Sequence, residues 1–101
     1  MKLEGQVAIV TGGGRNIGER IAEVLAEEGA KIAVVDLNQE RADQTTKKLT
    51  AAGHDAAAFV ADVSKSEDVA SIIAAIAERF GRIDILVNNV ALYDNRNILE
   101  I

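Results

Sequence analysis

The residues best suited to chemistry in this chain are the octet Thr11-Gly12-Gly13-Gly14-Arg15-Asn16-Ile17-Gly18, which lies between an apolar run and an amphipathic pattern. Glycines let a turn adopt positive φ and bring main-chain N–H groups to a phosphate without an intervening Cβ. A helix starting directly behind the turn adds a dipole that favours an anion. The flanks fit that arrangement. Val7-Ala8-Ile9-Val10 is apolar at consecutive positions, as a parallel strand buried on both faces would be. Ile17, Ile21, Val24 and Leu25 recur at the spacing of one helix face. A glycine cluster alone is also compatible with a turn that only links a strand to a helix. A second residue narrows the choice. The stretch from Ala30 to Val35 reads as another buried strand and ends in Asp36, close to the roughly 20-residue offset at which a carboxylate accepts hydrogen bonds from an adenosine ribose. Together they suggest a dinucleotide site.

The elements that would hold these residues follow from periodicity and punctuation. Gly29 falls where the first helix should stop, and Asn38 is placed to cap a second helix whose only large aliphatic residue is Leu49. That helix should be an exposed outer one, closed by Gly53. Ala56 to Ala61 reads as a third strand of small residues, followed by a turn at Asp62-Val63. Ser64 and Glu67 have capping-box spacing, with Ser66 a competing cap. Val69, Ile72, Ile73, Ile76 and Phe80 then form the strongest helical stripe in the chain, ended by Gly81. Ile83 to Val87 is the fourth strand and runs into Asn88-Asn89. Strands alternating with helices imply a parallel sheet with right-handed crossovers.

Composition removes several alternatives. With 101 residues, 49% of them apolar, the chain has room for one domain and a modest core. A net charge of −5 and three aromatics (Phe59, Phe80, Tyr93) provide neither a basic stripe nor a stacking platform, which argues against nucleic acid as a partner. There is no cysteine and His54 is the only histidine, so thiolate and histidine-cluster metal sites are excluded. The longest mainly apolar stretch, Val69 to Ala77, is too short for a bilayer, and Met1-Lys2-Leu3-Glu4 lacks a signal-type apolar region, so a cytoplasmic location without membrane contact is expected.

Four motifs in register, the turn at 11–18, Asp36, Asp62-Val63 and Asn88-Asn89, resemble the N-terminal part of a short-chain dehydrogenase/reductase over essentially the whole chain. The resemblance implies an α/β, Rossmann-like doubly wound parallel sheet, of which residues 1–101 encode the first half, four strands in the order 3-2-1-4. Under the same resemblance Gly12, Ile17 and Gly18 line the pyrophosphate, Asp36 holds the adenosine ribose with Leu37 beside it in the cofactor-binding set, Asp62 and Val63 flank the adenine, and Asn89 lies near the cofactor ribose. Asn88 braces the central strands. Arg15 and Asn16 complete the expected cofactor-binding set. NAD is expected over NADP because Asp36 would repel a 2′-phosphate, although Arg15 could favour one. Asn16 stands where the family turn has its middle glycine, and is expected at positive φ near the pyrophosphate. Val90-Ala91 replaces the usual Ala-Gly.

The family's Tyr-x-x-x-Lys pair is not matched: Tyr93 is followed four residues on by Asn97. The implied function is therefore that of the cofactor half of an oxidoreductase acting on an alcohol or carbonyl, with no catalytic residue among these 101 and no turnover expected from them alone. A non-catalytic nucleotide-binding module and a purely structural assembly unit are the alternatives. The apolar fourth strand, expected at a sheet edge, points to a homo-oligomer.

Overall fold

Four apolar residues in succession are stable as a strand only where both faces are covered, and the architecture of this computed structural model meets that demand. It describes residues 2–12 and 16–88, with Asn16 described in its backbone alone. The elements run β1 (Val7–Thr11), α1 (Asn16–Glu27), β2 (Lys31–Asp36), α2 (Gln39–Ala51), β3 (Ala56–Val60), α3 (Ser66–Phe80) and β4 (Ile85–Asn88). All pairings are parallel and the sheet order is β3-β2-β1-β4. This is the expected 3-2-1-4 arrangement. Every residue of β1 is buried.

The chain steps from β1 to β2 to β3 in one direction, then returns past both to place β4 on the far side of β1. Keeping one hand of crossover through that reversal requires the connecting helix to change face. Accordingly Ala22 and Ala26 of α1 and Ala42 and Leu49 of α2 pack on Ala8, Val10, Ile32 and Val34. Ile76, Ile72 and Phe80 of α3 pack on Val7, Ile9, Ala33 and Val35 across the sheet.

The inward face of α1 differs from the one its large residues suggest. Gly18, Ala22 and Ala26 are buried, Ile21 and Leu25 are half-buried, and Ile17 and Val24 are exposed. The branched residues of the sheet already fill the interface, so small residues let the helix lie against it. In α2 the expectation holds: Asn38 Oδ1 accepts from the Arg41 N–H at 3.0 Å, and Ala42, Thr45 and Leu49 are the buried residues. Gly29 follows α1 with φ 98°, and a Cβ there would meet the Glu4 backbone at 2.9 Å. Only glycine fits that crossing.

Two expectations at α3 and β4 are corrected. The Ser64/Glu67 capping box does not form: Lys65 is the N-cap without a side-chain cap bond, and Ser66 is the first helical residue. Asp62 Oδ1 instead accepts from both the N–H and the hydroxyl of Ser64, at 3.0 and 2.5 Å. Both Ser64 donors are thereby held on Asp62, in a turn that precedes the helix start. The fourth strand begins at Ile85 rather than Ile83 because Asp84 sets its start. The Asp84 N–H donates to the Val7 carbonyl at 2.9 Å, and its carboxylate accepts from the Val7 N–H at 2.8 Å. Arg82 grips the same carboxylate through Nε and Nη2, at 2.8 and 2.7 Å.

On the α3 face, Leu86 is 65% exposed and Ile73 44%, and a groove of about 230 Å³ runs between α3 and β4 past Ile9, Val69, Ile72 and Ile83. Among the described residues this face is mainly apolar and exposed at Leu86 on β4.

Arg82, then the Val7 N–H, hold the Asp84 carboxyl below the usual carboxylate range. Its folded value is depressed, so its stabilising effect is complete above the unfolded carboxylate value and is lost as pH falls through the folded one. Asp84→Asn should retain the Val7 bond but flatten the loss of stability in acid. Asp84→Ala, which leaves the Val7 N–H without that acceptor, should lower the melting temperature further at neutral pH. Melting curves of both variants from pH 7 down to pH 3 check this, and curves parallel to wild type would remove Asp84 from the role.

Candidate nucleotide site

Register brings the sequence motifs together. Thr11 at the end of β1 sits opposite Val35 of β2 on one side and Asn88 of β4 on the other. Asp36, one residue further along β2, sits opposite Val60 of β3. Gly12, Asp36-Leu37, Asp62-Val63 and Asn88 therefore emerge at the same, C-terminal end of the sheet. The direction of winding reverses between β1 and β4, and in doubly wound sheets ligands bind in the crevice at such a reversal.

Gly12 has φ 67°, so the chain leaves β1 through a left-handed turn as a glycine-rich loop requires. Asn16 is the first residue of α1. A right-handed helix takes φ near −60°, so the expected positive φ at Asn16 is corrected. The N-terminus of α1 opens at the same end of the sheet, and Gly18 in its first turn is buried.

Asp36 is only 4% exposed, and its Oδ1 accepts from the Asn38 N–H at 2.9 Å. That bond fixes the carboxylate at the mouth of the site and ties it to the start of α2. Beside it Leu37 is 66% exposed, and Ile17 on α1 is 68% exposed. Two large apolar side chains left in solvent and a fixed carboxylate, all at this end of the sheet, give a ligand both a surface to cover and a group to bond. Asp62 is half-buried, and its carboxyl is pulled below the ordinary value by the Ser64 hydroxyl and then by the Ser64 N–H. The Asp62 N–H in turn donates to Asp68 Oδ2 at 3.0 Å, which fixes the turn after β3 on α3. Val63, half-buried, lines the groove with Ile9 and Ile72. The Thr11 hydroxyl lies 2.9 Å from Asn88 Oδ1 and 3.2 Å from the Val87 carbonyl, so Asn88 does brace the central strands. Arg15 and Asn89 lie outside the described residues, as does the side chain of Asn16.

Asp84, Asp68 and the residues joining α1 to α2 contribute to this geometry without a local motif. Asp84 and the residues joining α1 to α2 act on partners distant in sequence, whereas Asp68 reaches back only across the turn to Asp62, and no motif marks any of these pairings. Among the described residues no three metal-ligating side chains cluster, and no helix is long and apolar enough to cross a membrane.

The sequence pattern of the family described as short chain dehydrogenase matches residues 6–101. The chain belongs to the short-chain dehydrogenase family. It is 41% identical over 101 residues to a sorbitol dehydrogenase of Cereibacter sphaeroides, covering 100% of this chain and 38% of that protein. Among solved structures, an NAD+-bound xylitol dehydrogenase superimposes with a TM-score of 0.88 at 38% identity, over 91% of this chain and 35% of the other. A metagenomic short-chain oxidoreductase in complex with NADP gives 0.85 at 35% identity, over 91% and 42%. The chain thus spans well under half the length of these relatives and corresponds to the N-terminal, nucleotide-binding part of a short-chain dehydrogenase.

In this family member the Thr11 hydroxyl ties β1 to β4 at the crevice, and Thr11 is only 7% exposed. Thr11→Val, which keeps the shape and removes the hydroxyl, should cost about 1 kcal/mol. Urea denaturation measures it, and an unchanged midpoint would show that the two strand ends hold together without this bond.

Proposed function

We propose that this chain is the cofactor half of an NAD-dependent short-chain oxidoreductase acting on a small alcohol or carbonyl substrate, residues 1–101 forming an incomplete Rossmann-type domain. Bound there, the nicotinamide would give or accept the hydride that interconverts the two. The chain's own contribution is to bind and orient it. Gly12, Ile17 and Gly18, with Arg15 and Asn16, would surround the pyrophosphate at the α1 N-terminus. Asp36 would accept from the adenosine ribose hydroxyls beside Leu37, Asp62 and Val63 would flank the adenine, and Asn89 would lie near the cofactor ribose. The reading is carried by one observation: a carboxylate 4% exposed, at the C-terminal end of β2, next to a strand that ends in a left-handed glycine turn.

That carboxylate also carries the choice of NAD over NADP. A 2′-phosphate would meet Asp36 as a like charge at short range, in a setting with little water to screen it. Relatives include one structure with NAD+ and one with NADP, so the choice rests on this chain's own residues. Titration calorimetry with each cofactor should give NAD+ the lower Kd. In Asp36→Ala the preference should shrink by about tenfold or more, equivalent to 1.4 kcal/mol. A preference that survives unchanged in the variant would remove Asp36 from the role, and NADP+ preference in the wild type would assign selectivity to Arg15.

The same reading places the protein in the cytoplasm, with a small-molecule substrate and neither nucleic acid nor membrane as a partner. It also includes homo-oligomers. The support is the position of β4 at the edge of the four-stranded sheet, with Ile83 37% and Leu86 65% exposed. In sedimentation experiments the 101-residue chain should associate with concentration. A dilute, cooperatively folded monomer would contradict pairing through this edge.

A further inference from the structure

Glu19 is the acidic residue in the first turn of α1, directly behind the glycine-rich turn. The helix dipole favours a carboxylate there, but a diphosphate at the same helix end is repelled by it. The two demands conflict within one turn of helix. The conflict is met from α2, where Lys48 Nζ donates to Glu19 Oε1 at 2.9 Å and the Thr45 hydroxyl donates to Glu19 Oε2 at 3.2 Å. Both carboxylate oxygens are thus turned onto α2. The next carboxylate along the same face, Glu23, is answered too: Arg20 lies 3.1 Å from its Oε1 and Lys48 3.9 Å from its Oε2. Two carboxylates and two cations form a network with no net charge.

We propose that Lys48 is a positioning residue for the diphosphate site, cancelling the Glu19 charge at the α1 N-terminus so that the dipole there acts on the ligand. The inference rests on the nucleotide reading above. Protonation offers no alternative relief, because the Lys48 bond, opposed by burial and helped by Thr45, holds the Glu19 carboxyl below its ordinary value. As a contribution to folding the pair counts for little, since the Lys48 side chain is 60% exposed and such bridges are screened. Its effect belongs to ligand binding. The coupling also ties α1 to α2, and so the helix behind the phosphate turn to the helix that Asn38 starts two residues after Asp36.

The test is calorimetric titration of the full-length protein with NAD+ at low and at high salt. Lys48→Met should raise Kd about three- to tenfold at low ionic strength, and the difference should shrink to within about twofold near 0.5 M salt. Lys48→Arg should bind as wild type. Removing the opposing charge as well, in Glu19→Gln/Lys48→Met, should restore Kd to within about twofold of wild type. A purely structural bridge would give neither the salt dependence nor the restoration. If Lys48→Met fails to fold, Glu19→Gln alone decides: binding as tight as wild type or tighter supports the inference, and weaker binding overturns it. Unchanged affinity in Lys48→Met at low salt, or a double variant no better than the single one, also overturns it. A wild type that binds no NAD+ overturns the nucleotide reading itself.

Discussion

The structure depends on the register of β1 with its two neighbours. Thr11 is opposite Val35 and Asn88 at once, so the strands end together, and everything that could touch a ligand is delivered to one end of the sheet. A slip of one residue would turn Val7 and Ile9 toward α1 and α2, and Ala8 and Val10 toward α3, exchanging the contents of both cores. The register is pinned at both ends of the β1–β4 pair. Asp84 exchanges two hydrogen bonds with Val7 at the start, and Thr11 bonds Asn88 at the finish.

Electrostatics then gives that end of the sheet its chemical character. The α1 N-terminus and the left-handed turn at Gly12 offer main-chain donors, while Asp36 offers a fixed acceptor at the neighbouring strand. One part suits an anion and the other suits hydroxyl groups, and they are separated by a single strand spacing of about 4.8 Å. A ligand that bridges them must carry both kinds of group, as a dinucleotide does. Binding also needs each charge to stay where it is held, and the bonds of Asn38 to Asp36 and of Ser64 to Asp62 do that from within the adjoining turns.

Much of this was legible from the sequence because the signals are local. The strand order, the Asn38 cap, Asp36 at the end of β2 and the bracing Asn88 all follow from residues within a few positions of one another, or from the family resemblance built on them. The misses are of another kind. The spacing of Ile17, Ile21, Val24 and Leu25 predicts the inward face of α1, yet Ala22 and Ala26 face the sheet, because side-chain size at a close interface is set by what lies opposite. The Ser64 box gives way to a turn in which Ser64 donates to Asp62, an alternative that spacing alone does not reveal. Asp84 and the Glu19–Lys48 pair act over long sequence separations and leave no periodic trace.

If the C-terminal ends of β1, β2 and β3 form one nucleotide site, backbone amide chemical shifts will show it during titration with NAD+. Saturable shifts should concentrate at Gly12, Ile17, Gly18, Asp36, Leu37, Asp62 and Val63. Shifts concentrated instead at the opposite end of the sheet, around Lys31, Gly53, His54 and Asp55, or no shifts at all, would contradict it.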